Sequence, residues 1–167
     1  RLPNGDVVMA LPLHTGVGVY VLDIAKSRAT SGSSENDVMP GVRIDNPDNS
    51  EDGQWPRIRT DAVGNTAVVW HDTAGTRSML ARFRPAGEDW GPVEVISSGE
   101  NYGTGLDDFD FDMDAAGNGY LVYKRTDGAT QQIVAAERTP GAAGTWTEPE
   151  VLSADQSPVT APRVAAG

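Results

Sequence analysis

The 167-residue chain carries 13 Lys and Arg against 24 Asp and Glu, a formal charge of −11 at pH 7. This argues against nucleic acid or an anionic membrane as partner, since both need clustered cations, and favours a cation or a neutral ligand. With no cysteine it has no thiol catalysis, zinc thiolate site or thiol redox switch, and at 167 residues it can bury a core without a disulfide or metal staple. No apolar run approaches the roughly 18 residues of a membrane span. The opening Arg1-Leu2-Pro3 has neither initiator Met nor apolar signal run, as in a mature chain or a fragment.

In chain order, the first strand-like runs are Gly5-Asp-Val-Val-Met-Ala-Leu11, residues 19–28 and Pro40-Gly-Val-Arg-Ile44. An acidic stretch rich in chain breakers follows, Asp45-Asn-Pro-Asp-Asn-Ser-Glu-Asp-Gly53. A complete unit then begins at Pro56-Arg-Ile-Arg-Thr-Asp-Ala-Val-Gly64-Asn-Thr-Ala-Val-Val-Trp70, and predicts strands over 56–61, 66–71, 78–84 and 93–97. The same punctuation returns in Phe109-Asp-Phe-Asp-Met-Asp-Ala-Ala-Gly117-Asn-Gly-Tyr-Leu-Val-Tyr123, at a spacing of 117 − 64 = 53, and predicts strands over 109–114, 119–124, 131–138 and 149–153. Both units continue through a run ending in Arg (Arg84, Arg138) to a closing segment, Trp90-Gly-Pro-Val-Glu-Val-Ile-Ser97 or Trp146-Thr-Glu-Pro-Glu-Val-Leu-Ser153. Ala161-Pro-Arg-Val-Ala-Ala-Gly167 repeats only the opening of a unit. No segment carries a helical period.

Four-stranded units repeating every fifty-odd residues predict an all-β chain of antiparallel propeller blades, because one twisted sheet cannot cover both its faces alone. The blades are expected at about 1–53, 54–106 and 107–160, within a single propeller segment spanning 1–167. Residues 161–167 would be an orphan first strand, of the type that the opening unit lacks. Three blades are too few to close, so the chain is expected to form part of a six-bladed ring, either as a homodimer or together with the remaining blades of a longer chain. A β-sandwich of seven to nine unlike strands is the competing fold.

The Pro-x-(Val/Ile)-x-x-Asp-x-x-Gly-Asn opening, the apolar strand ending in Trp and the final Trp-x-x-Pro-x-x-(Leu/Ile)-Ser resemble the sialidase-like β-propellers of secreted bacterial proteins, over residues 5–167. The resemblance implies a secreted propeller. The Asp-box of true sialidases, Ser-x-Asp-x-Gly-x-x-Trp, is absent, and Pro56-Arg-Ile-Arg59 is not the family's Arg-Ile-Pro motif. The expected function is therefore a non-catalytic recognition or scaffolding module, binding a glycan or a protein surface through rim loops. A sialidase-like glycoside hydrolase, or its propeller fragment, is the alternative.

Asp107-Asp-Phe-Asp-Phe-Asp-Met-Asp114 is the most unusual segment: as a strand it puts Asp108, Asp110, Asp112 and Asp114 on one face. Arg57 and Arg59 align with Asp110 and Asp112, and Arg163 aligns in the last segment, so charge-paired lining of a central channel is expected. Solvated carboxylates and a cation site are the other readings. The calcium-loop pattern fails, with Ala115 where Gly is needed and Leu121 where Glu is needed. Asp45, Asp48 and Asp52 offer hard oxygens that suit calcium, at a spacing matching no regular motif; no other cofactor is expected. His14 and His71 fall just after the second strand of their units, at one rim, and His71 beside Trp70 reads as a general base or a sugar-stacking wall. Trp70, Trp90, Trp146 and Tyr123 recur at repeat positions and read as packing residues. Trp55, Tyr102 and Asn101 read as connecting-loop residues and, with His71, as the ligand-binding candidates.

Overall fold

The computed structural model describes residues 8–12, 19–23, 42–44, 53–73, 77–99, 101–102, 108–127, 130–153 and 161–167. Asp45, Asp48, Asp52 and His14 lie outside them. The described residues form twelve strands and no helix: β1 (Val8–Pro12), β2 (Val19–Asp23), β3 (Val42–Arg43), β4 (Gly53–Thr60), β5 (Thr66–Asp72), β6 (Ser78–Arg84), β7 (Glu94–Ser98), β8 (Asn101–Tyr102), β9 (Phe109–Met113), β10 (Gly119–Asp127), β11 (Thr130–Arg138) and β12 (Glu150–Val151).

They make three antiparallel sheets. The first is β1-β2-β3, the second β4-β5-β6-β7, and the third β12-β11-β10 with β8 and β9 end to end along the far edge of β10. The third sheet is thus also four strands wide. The repeat is visible rung by rung: Arg57 pairs Val69 and Arg59 pairs Ala67, while 53 residues later Asp110 pairs Val122 and Asp112 pairs Tyr120.

The sheets stack face to face, which explains why all seven residues of β5 are buried. Side chains alternate along a strand, so one face of β5 (Val68, Trp70) packs with Leu80, Ile44, Trp90 and Val93. Its other face (Ala67, Val69) joins Met79, Ala81, Phe83 and Ile96 against Phe109, Phe111, Leu121, Tyr123 and Val134 of the third sheet. Trp146 closes this cluster with its ring centroid 6.3 Å from that of Phe111. Burying these large apolar side chains, at roughly 1.5–3 kcal/mol each, holds the sheets together.

Opposite ends of the sheets differ in chemistry. At one end the first hairpins of the second and third sheets, β4-β5 and β9-β10, close in the same turn. The Asp61 Oδ1 accepts the amides of Val63, Gly64 and Asn65 at 2.9–3.0 Å, and Oδ2 accepts Asn65 Nδ2 at 2.7 Å. Asp114 repeats this with the Ala116 and Asn118 amides and Asn118 Nδ2. The Asn118 side chain first, with those amides and the Tyr120 hydroxyl, holds the Asp114 carboxyl below the usual range, although desolvation opposes them. Gly64 and Gly117 supply the positive φ (101° and 87°) that the turn needs. The two turns also touch, since a Cβ on Gly117 would lie 2.9 Å from Asp61 Oδ2, an atom already tied to its own loop. Gly117→Ala is therefore expected to cost about 1–3 kcal/mol, through left-handed strain plus that clash. Urea unfolding checks this, with Ala116→Gly at the exposed neighbour as the control.

Candidate functional site

The other end of the sheets carries two left-handed non-glycine residues, a buried histidine and an ion pair. β4 pairs with β5 through Gly53 and Gln54, breaks register, and resumes at Arg57. Trp55 sits in this bulge at φ 50°, a left-handed conformation that costs a bulky residue of order 1–3 kcal/mol. The bulge turns the indole onto His71, with ring centroids 6.0 Å apart and planes 26° from parallel. A second left-handed residue, Arg77 at φ 49°, stands at the same end just before β6.

The expected loop and rim positions need correction. Trp55 is a residue of β4, half-buried and packed on the core, because a bulge, not a loop, takes up its extra length. Asn101 and Tyr102 form β8, hydrogen-bonded along β10 opposite Thr126 and Arg125. His71 lies inside β5 with 1% of its surface exposed, because the third sheet covers that face. Burial above all pushes its pKa down to about 4; Arg77 adds to this, while Asp72 and Asp108 pull the other way. At neutral pH the imidazole is uncharged.

The 53-residue offset also finds Lys124, which sequence reasoning passed over, and makes it rather than an arginine the partner of Asp108. The partners of Trp55 and His71 one unit later are Asp108 and Lys124. In place of the stacked rings the third sheet holds an ion pair between these two, largely shielded from solvent, and the Lys124 amide donates to the Asp108 carbonyl at 2.7 Å. The field of Asp108 reaches His71, so the ring pair and the ion pair are neighbours. Around them Gln54 Nε2 donates to Thr73 Oγ1 at 3.2 Å, and Arg125 Nε donates to Gln132 Oε1 at 3.0 Å. The result is a half-buried aromatic flanked by fixed hydrogen-bonding and charged groups, suited to holding a polar ligand with an apolar face.

Where β4 and β9 lie side by side, the aspartates of β9 meet two elements. Arg59 Nε donates to Asp112 Oδ1 at 2.8 Å, and the Arg57 guanidinium lies 5.1 Å from the centre of the Phe109 ring. From the other side the Val164 amide donates to Asp110 Oδ2 at 3.3 Å, and the Ala166 amide to Asp112 Oδ2 at 2.9 Å. Desolvation works against the Asp112 charge, but the Ala166 amide and Arg59 outweigh it and hold the carboxyl below the ordinary range. Arg163 Nη1 donates to the Pro162 carbonyl at 2.7 Å. Among the described residues no group of three or more His, Cys, Asp or Glu is arranged to hold a metal ion. The chain matches no described protein family, no curated protein and no solved structure.

Proposed function

We propose that the three stacked sheets are successive blades of a secreted, sialidase-like β-propeller, and that the chain is a non-catalytic recognition module. Its ligand is a neutral glycan, taken at the end where Trp55 stacks on His71. The observation that carries this reading is the strained Trp55: backbone strain of this kind persists where the surroundings enforce it and concentrates at ligand sites. The turns at the opposite end are repeated and self-satisfied, as scaffold turns are. A neutral, buried His71 serves as a wall for the indole better than as a proton carrier. The net charge of −11 disfavours anionic sugars, and with them the sialidase chemistry of the alternative reading.

A glycan array of neutral and sialylated ligands, with and without calcium, tests the reading on the whole chain. Binding of neutral glycans is expected, falling at least about tenfold in Trp55→Ala, on the order of the 1.4 kcal/mol or more that a stacking aromatic supplies. Hydrolysis of model glycosides would overturn the non-catalytic reading. Binding to no glycan would shift the ligand to a protein surface.

A further inference from the structure

We propose that Arg125 sets the specificity of the Trp55 end, its guanidinium reading two adjacent hydroxyls of the sugar ring that lies on the indole; this rests on the recognition reading above. The register of the second and third sheets points there.

Tyr123 of β10 looks toward the second sheet, where its hydroxyl donates to Ser97 Oγ at 3.2 Å. Ser97 pairs with Met79, and Met79 with His71, so this hydrogen bond stands on the rung of the buried imidazole. Side chains two apart share a face, so Arg125 looks the same way from about 7 Å further along β10, toward the end where Trp55 lies. Gln132 pairs with Arg125 and shares its face with Val134 of the core. Arg125 Nε donates to Gln132 Oε1 at 3.0 Å. On the second sheet Gln54 pairs with His71, and its Nε2 donates to Thr73 Oγ1, two residues beyond the imidazole. Two hydrogen-bonded polar pairs, one on each sheet, therefore face each other past the Trp55–His71 stack.

The third sheet also reaches further at this end. Asp72 opposite Ser78 is the last rung of β5-β6. Its counterpart, Arg125 opposite Gln132, is followed by Thr126 opposite Gln131 and Asp127 opposite Thr130. β8 pairs along Arg125 and Thr126, so the extension begins three strands wide. These rungs make a wall of paired backbone beside the gap, and Arg125 stands at its foot on the side facing the second sheet.

A sugar ring laid on an indole gives its apolar face to the aromatic and turns its hydroxyls outward at the edge. A guanidinium is planar with its donors in a fixed fork, and the bond to Gln132 sets the plane of this one. Such a fork spans two oxygens on neighbouring carbons. Hydroxyl oxygens accept from it without carrying charge, in keeping with a chain of net charge −11.

The test titrates the whole chain with the methyl glycosides of glucose, galactose and mannose, with their monodeoxy analogues and with the matching uronic acids. The preferred glycoside should lose about tenfold in affinity when either of two adjacent hydroxyls is removed, the scale of a hydrogen bond to a charged group. Arg125→Met should bind that glycoside about tenfold more weakly and lose nothing further with either deoxy analogue. Arg125→Lys should recover little, because an ammonium cannot span both oxygens. Gln132→Leu, which leaves Arg125 in place but unties its Nε, should blunt the same discrimination, and circular dichroism should show the β-type spectrum in all three variants. Arg125→Met that binds as the unaltered chain does, or that still discriminates the deoxy analogues, overturns this assignment alone, with the effect of Trp55→Ala untouched. Preference for a uronic acid through Arg125 overturns the neutral diol as its ligand. Binding of no glycoside by the unaltered chain strikes the recognition reading, and this assignment with it.

Discussion

Arg138→Met is expected to destabilise the chain by about 3–5 kcal/mol, because it breaks a buried ion pair and leaves one charge stranded. Arg138, at the end of β11, is 2% exposed. Its Nε and Nη2 donate to the two oxygens of Glu94 at 2.8 Å each, and its Nη1 donates to the Thr139 and Gly141 carbonyls at 3.1 Å. The guanidinium lies 4.3 Å from the centre of the Phe83 ring, and Trp146 Nε1 donates to the same Glu94 carboxylate at 2.8 Å. One residue of the third sheet thereby grips a strand, a turn and a ring belonging to two sheets. The bidentate geometry needs a planar guanidinium, so Arg138→Lys should recover little. Glu94→Gln, which keeps an acceptor for Trp146, should cost less than Arg138→Met. Urea unfolding gives the comparison as a shift in midpoint at unchanged slope, and a loss below about 1 kcal/mol would show that the stack does not depend on this bridge.

The repeated Arg84 and Arg138 were legible in the sequence as strand ends, as were the Asp-x-x-Gly-Asn hairpin tips, because turn chemistry is local and fixed by residue type. For the same reason eight predicted strands lie within a few residues of those observed, the widest discrepancies, of three residues each, being at the bulged start of β4 and at the end of β10. The partner of Arg138 was not legible: Glu94 lies 44 residues away, and only the stacking of sheets brings it near. The site shows the same division. Trp55 and His71 stood out by type, yet the bulge that joins them came from a register shift that alternation does not encode, so Trp55 read as loop and His71 as rim. The offset linking Arg59 to Asp112 was in the sequence, and the same offset applied to Trp55 and His71 would have given Asp108 its partner Lys124. What it could not supply is burial, which makes one pair a stacked wall and the other a shielded ion pair.

Between pH 6.5 and 4, stability is expected to fall by on the order of 3 kcal/mol through His71 alone. In the unfolded chain the imidazole takes a proton near its ordinary value of 6.5, whereas in the folded chain burial delays this to about 4. Over that window the unfolded state binds more protons, so acid favours unfolding. The full stability is present above 6.5, and the loss is complete once pH drops below about 4. Carboxylates held in ionised form, Asp112 among them, act in the same direction but nearer their ordinary value of 3.8 and below, so the two sets of groups are separated by pH. Measuring the urea midpoint across this range should show a slope that His71→Phe flattens, since phenylalanine keeps a ring under Trp55 and cannot take the proton. A slope that persists unchanged in His71→Phe would place the titration elsewhere. The same experiment bears on the site: if His71 is the neutral wall on which Trp55 rests, glycan binding should hold to pH 6 and fall toward pH 4 in step with stability, and the phenylalanine variant should hold its binding further into acid.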